Sequence, residues 1–240
     1  MDSTISRSPG TPERLRQALS RSDASERLQV ALAAGTRPDP NYAAVLVERC
    51  AIEPDFYVRD MLTWALTRHP ADTTVPLLLE ELQTGVPQAR SQALHTLSKI
   101  GDPRGWTAIT PELLRDSDDE VARSAWRAAV VLAPEGELAA LAGLLASQLG
   151  RGDRDLQLSL SRAFVGIGEP AAASLEDAAN ASTDTVRLHA LATQHLVQNP
   201  DDGFDASIFE AKRAFALKDA PIAPEASESP DAPAREEHSQ

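Results

Sequence analysis

Residues 93–104 read Ala93-Leu94-His95-Thr96-Leu97-Ser98-Lys99-Ile100-Gly101-Asp102-Pro103-Arg104. The apolar positions 93, 94, 97 and 100 recur every three or four residues, so they share one face of a helix. Gly101 opens a break, and Asp102 before Pro103 is a start signal for the next helix. This helix, break and helix phrase recurs along the chain. Taken at the apolar residue that opens each stripe, it falls at Leu28, Val58, Ala89, Val121, Leu156 and Val186. Four residues on lie Leu32, Leu62, Ala93, Ala125, Leu160 and Ala190, and seven on lie Ala65, Thr96, Ala128, Ala163 and Thr193. Small residues on that face let neighbouring helices approach closely. Each of these anchor helices is followed by a proline-bearing break, such as His69-Pro70-Ala71-Asp72 or Gly168-Glu169-Pro170, and then by a second apolar helix. Start signals with capping-box spacing stand at Asp23 with Glu26 and at Ser117 with Glu120. One hairpin cannot bury its own stripe, so about six of them, each about 30 residues long, must stack. The reading is an all-α, right-handed α-solenoid over residues 11–217. Its helix pairs fall near 24–34/40–51, 55–68/72–84, 87–99/103–115, 118–132/135–149, 153–166/169–180 and 183–197/204–217.

Composition agrees with helices. The chain has 40 Ala and 29 Leu among 240 residues, but only 19 Val and Ile. A sheet protein would need more β-branched residues for its pleated faces. Residues 218–240 hold four prolines and no aromatic residue, with two bases against six acids. Such a segment cannot bury enough apolar surface to order itself, and residues 1–10 are similarly polar. Both ends are therefore expected to be disordered. The net charge of −13 disfavours a phosphate backbone as the main partner. The single cysteine, Cys50, excludes an intramolecular disulfide and a cysteine zinc cage. No apolar run approaches the roughly 20 residues of a membrane span, and the N-terminus lacks a secretory stretch. A cytoplasmic location is expected.

The segments Tyr57-Val58-Arg59-Asp60-Met61-Leu62, residues 93–104 and Asp118-Asp119-Glu120-Val121-Ala122-Arg123 share a rhythm. It consists of a Val-Arg helix start, an Ala-Leu middle and an Ile-Gly-Asp-Pro-Arg turn. In this the chain resembles bacterial HEAT-repeat proteins, of the short type also seen in phycobilisome-lyase-related proteins. The fifth unit departs from it, with Gln157 where arginine is usual. The resemblance implies that second helices line the inner face of the solenoid. It also implies that Arg59, Arg90 and Arg187 form a structural ladder, each reaching a turn carboxylate or a helix-end carbonyl of a neighbouring repeat. An anion-binding strip is the functional alternative for these three. One fold hosts many activities, so the resemblance implies no reaction.

Candidate chemistry is sparse. His189 and His195 are six apart on one helix and point in different directions. Deoxyhypusine hydroxylase, a HEAT-repeat metalloenzyme, needs repeated His-Glu dipeptides for iron, and no histidine here precedes a glutamate. No metal, cofactor or catalytic site is expected. Cys50 reads as a buried, inert thiol, and the acidic run 116–120 as a helix cap. Trp106 and Trp126 read as core or near-core. A row six residues after the anchors holds Trp64, His95, Arg127 and Arg162. Trp64 is either a binding hot spot or a cover for the leading helices, and both readings stay open. The second helices carry acids, among them Glu80, Glu81 and Glu112, which would suit a basic or mixed-charge protein partner.

The leading expectation is thus a non-catalytic scaffold that binds another protein. Two alternatives come from resemblance. One is a DNA-binding protein of the kind seen in HEAT-like DNA glycosylases, which the acidic second helices disfavour. The other is a tetrapyrrole lyase or chaperone, for which no Cys-His pair speaks.

Overall fold

A computed structural model describes residues 11–218 except 181 and 182, with side chains described as far as residue 213. The expected disordered ends, 1–10 and 218–240, lie outside the described residues apart from Lys218. The described residues form α-helices and short 3-10 turns with no strand. The helices are α1 (Thr11–Leu19), α2 (Ala24–Thr36), α3 (Ala43–Ile52), α4 (Phe56–Thr67), α5 (Ala71–Glu81), α6 (Pro87–Ile100), α7 (Pro111–Leu114), α8 (Asp119–Leu132), α9 (Leu138–Ala146), α10 (Arg154–Ile167), α11 (Ala172–Ala179), α12 (Asp184–Gln198) and α13 (Phe204–Lys218). After α1 they stack as pairs. The anchor helices α2, α4, α6, α8, α10 and α12 form one layer, and the second helices back them.

The start signals act locally. Asp23, Asp55 and Asp153 each accept the backbone N–H three residues on, at 2.9 to 3.0 Å. At α8 the cap is Asp118 rather than the expected Ser117. Its Oδ1 takes the N–H groups of Glu120 and Val121 at 3.0 and 3.1 Å. Gly101 ends α6 with φ of 70°, where a side chain would be strained, and its N–H returns to the Leu97 carbonyl.

The stripes at positions 0, +4 and +7 are buried from the second to the fifth hairpin. Val58, Leu62, Ala65, Val121, Ala125 and Ala128 are all fully enclosed. Trp126 is enclosed too and donates its ring N–H to the Leu114 carbonyl at 2.8 Å, while Trp106 packs half-buried at the core edge.

Two further expectations need correction. In α2 the buried residues are Arg27, Ala31, Ala34 and Gly35, while Leu28 is half-buried and Leu32 exposed. Arg27, Ala31 and Ala34 follow i, i+4, i+7 spacing, so the buried side of α2 is turned one residue from the expected stripe, with Arg27 held on buried Glu53. The second helix expected at 103–115 is a 3-10 turn, Pro103–Ala108, followed by the four-residue α7. Pro103 and Pro111 each lack an N–H, and Thr110 restarts the chain as a new cap. Gly105 also sits where a Cβ would stand 3.0 Å from Leu132, so this segment hugs α8.

Candidate interaction surface

Two buried polar centres hold the stack and leave the surface free for other work. At the N-terminal end the Glu53 side chain is 0% exposed. Its carboxylate takes Arg27 Nη2 at 2.7 Å, Arg27 Nε at 2.9 Å, Arg49 Nη2 at 2.6 Å and the Asp55 N–H at 2.9 Å. Burial alone would raise its pKa. Bonding to Arg27, Asp55 and Arg49 outweighs this, and the carboxyl lies below its ordinary value. At the other end His189 is buried between α10 and α12. Its Nδ1 accepts the Gly150 N–H at 2.9 Å, so Nε2 carries the proton, which faces the Gln157 carbonyl at 3.1 Å and Ser161 at 3.0 Å. Burial pushes its pKa down to about 4. Ser161 and Thr193 meet at 2.7 Å beside it. His195, by contrast, is partly exposed and faces Asp202 at 2.8 Å.

Arg59 and Arg90 of the expected ladder reach turns. Arg59 Nη1 donates to the Glu53 and Pro54 carbonyls, both at 2.8 Å. Arg90 meets Asp116 at 3.1 Å across to the next repeat. Arg187 pairs with Asp184 on its own helix. Sequence reading missed Arg27, which donates to the carbonyls of Arg21 and Ser22, six and five residues back, as Arg59 does. Its spacing from Asp23 matches that of Arg59 from Asp55. The apolar Leu28 beside it drew the anchor away.

Beyond these centres lies the anchor-helix surface. On α4 the exposed residues Phe56, Tyr57, Asp60 and Trp64 follow i, i+1, i+4, i+8 spacing and share one side of the helix. Phe56 is 65%, Tyr57 71% and Trp64 37% exposed. Phe56 and Tyr57 pack edge to face with centroids 5.6 Å apart. Trp64 lies over Gly35 of α2, where an added Cβ would stand 2.4 Å from its ring. Both readings of Trp64 therefore have substance: it covers α2 and still shows a third of its surface. Sequence reading missed Phe56 and Tyr57. The signal was available, because the first two residues after a cap at 55 precede the buried stripe.

A groove of about 220 Å³ opens beside this face, lined by Phe56, Asp60, Gln92, His95, Glu120 and Arg127 among others. A cleft of about 400 Å³ continues it over Arg59, Gln88, Gln92 and Asp118. His95 and Arg127 are thus brought together. Burial, then Lys99 and Arg127, hold the His95 pKa below its ordinary value. Trp64 and Arg162, at the ends of the row, do not line the groove. The acids of the second helices separate. Glu81 is half-buried near Glu48 and Glu80, and burial with those charges raises its pKa. Glu80 is exposed. Glu112 lines a different cleft, of about 430 Å³, with Arg90 and Arg115.

Cys50 is buried, and its thiol is pushed up to about 12 by that burial. Among the described residues no cluster of three His, Cys, Asp or Glu is placed to hold a metal ion. Among them, too, no helix is long and apolar enough to cross a membrane.

Residues 51–131 match the family described as HEAT repeats. No curated protein matches the chain. Among solved structures it is similar to an engineered protein from a structural-genomics programme, at 15% identity and TM-score 0.44, over 79% of this chain and 99% of that one. It is similar to human deoxyhypusine hydroxylase in complex with glycerol, at 17% identity and TM-score 0.42, over 85% and 96%. The complex of CpcE and CpcF of phycocyanin lyase from a Nostoc species gives 17% identity and TM-score 0.38, over 89% and 97%.

Proposed function

We propose that this chain, a HEAT-repeat protein on the match of residues 51–131, is a non-catalytic adaptor that holds another protein against the anchor-helix face. The observation that carries the reading is the exposed aromatic side of α4, Phe56, Tyr57 and Trp64, set beside a groove of mixed charge. Aromatic side chains supply much of the binding energy at protein interfaces because they bury large areas with few torsions to freeze. Asp60 and Glu120 face Arg59, His95 and Arg127 across the groove, so the partner segment it suits carries both signs of charge and an apolar anchor. The buried, unactivated Cys50 and the neutral His189 support a binding role, since neither is set up as a nucleophile or base. The acidic charge and lone thiol support a cytoplasmic setting.

Quantitative affinity capture from native lysate tests this. The full chain is expected to retain a defined protein, and Trp64→Ala to lower its recovery about fivefold or more while its melting point falls by only about 2–4 °C. Equal recovery by a stably folded Trp64→Ala chain would remove the α4 face from the interface.

A further inference from the structure

The row six residues after the anchors turns basic along the stack. At its α4 side the groove carries Asp60, while Glu120 lies in the first turn of α8, about two turns before Arg127. Further on come His95 and, one turn later, Lys99 on α6, then Arg127 on α8 and Arg162 on α10. Lys99, Arg127 and Arg162 are exposed. The chain has 36 acids against 23 Lys and Arg, and most arginines in the stack find a carboxylate or carbonyl. Lys99, Arg127 and Arg162 form no ion pair with a described residue, and neighbouring Arg123 meets only Glu120, at 3.5 Å. Burial and the like charges of Arg123 and Arg162 hold the Arg127 pKa below its ordinary value, against Glu120. Arg127 and Arg162 thus stand about one helix spacing apart, roughly 8–10 Å, and Lys99 on the next anchor helix lies about one turn, ~6 Å, further along its own axis.

Residues 219–240 carry the matching pattern. They hold six acids and one arginine, so their charge is 1 − 6 = −5. Glu225, Glu228 and Asp231 are spaced by three, within a stretch holding Pro221, Pro224, Pro230 and Pro233. In an extended proline-rich chain three residues advance about 9 Å, which is one helix spacing. The reach fits as well. From Lys218, at the end of α13, to Glu225 is seven residues, or about 23 Å of extended chain. The path from α13 past α12 to α10 is two helix spacings, about 20 Å.

We propose that the acidic segment 219–240 of this chain docks across its own anchor helices, with Glu225, Glu228 and Asp231 meeting Arg162, Arg127 and Lys99 in that order. Docked there, it borders the α4 groove and competes for the surface that a partner would use. The docking itself does not depend on any partner binding.

Zero-length carbodiimide coupling on the full chain tests this, because the chain has only three lysines, Lys99, Lys212 and Lys218. Peptide mass spectrometry is expected to find Lys99 joined to a carboxylate within residues 225–231. In a mixture of isotopically light and heavy chains the joined peptides are expected to come from the same chain. The yield should fall about tenfold in Arg127→Glu/Arg162→Glu and recover when Glu225→Arg/Glu228→Arg is added to that variant. Glu225→Arg/Glu228→Arg alone leaves the helical body untouched, and the same loss is expected there. The proposal is overturned if Lys212 and Lys218 couple to these acids while Lys99 does not. A Lys99 yield indifferent to both charge reversals, or a predominance of light–heavy pairs, overturns it equally. Because no outside partner takes part, this result stands apart from the capture experiment.

Discussion

Trp64 and Trp126 occupy equivalent helices one register position apart. Trp64 follows its anchor Val58 by six residues, and Trp126 follows Val121 by five. One residue is 100° of helix rotation. That step leaves Trp64 at the surface over Gly35, and encloses Trp126 with its ring N–H on Leu114. The lesson is that aromatic content does not distinguish an interface from a core in this fold. Register does. The same contrast separates the two halves of the stack more broadly. The N-terminal half turns Phe56, Tyr57 and Trp64 outward and is pinned by a charged centre at Glu53. The α8–α12 half turns Trp126 and Phe164 inward and is pinned by neutral groups around His189.

The largest test of this contrast removes the pins. Glu53→Ala leaves Arg27 and Arg49 facing an empty buried site, and a loss of about 3–5 kcal/mol is expected in denaturant unfolding. Trp126→Ala should cost a similar amount, about 3–5 kcal/mol, through cavity and lost contacts. A loss below about 1 kcal/mol in either case would break the account of that half.

Acid should separate the halves next. The His189 pKa is about 4 in the folded chain and 6.5 as an ordinary value. The unfolded chain therefore takes up the proton first. Stability is whole above 6.5 and falls as pH drops toward 4, by about 3 kcal/mol in all. The Glu53 pKa is lowered from 4.5, so its contribution is present above that value and is lost only as pH falls through the lower folded one. Amide exchange at pH 5 is expected to speed up in α10 and α12 before α2 and α4. Simultaneous loosening would contradict the assignment of the two centres.

Smaller effects probe α4. Gly35→Ala would press a methyl group into the Trp64 ring and the Ala65 backbone, at an expected cost of about 1–3 kcal/mol in thermal unfolding. Trp64→Ala is the mildest change, at about 1 kcal/mol, because the ring is partly exposed already.

Much of the stack was legible because repetition makes each residue's role visible several times over. The breaks at Gly101-Asp102-Pro103 and the small residues at Ala93, Ala125 and Ala128 are local patterns that packing then respects. Two things were not legible. The Arg27–Glu53 pair spans 26 residues and depends on the turn Glu53-Pro54-Asp55 folding back under α2. The short α7 follows from Pro111 and from Gly105 lying tight on Leu132, a contact no sequence window contains. Of the surface residues singled out, His95 and Arg127 come together in one groove, whereas Glu112 goes to another cleft, because each second helix ends in its own turn.

The central claim is that the anchor-helix face around α4 is where a partner binds. Hydrogen–deuterium exchange of the full chain, alone and with its captured partner, addresses that claim directly. The account predicts slowed exchange in residues 55–68 and 88–127, with α9 and α11 unchanged. Slowing confined to the second helices, with 55–68 exchanging as in the free chain, would contradict it.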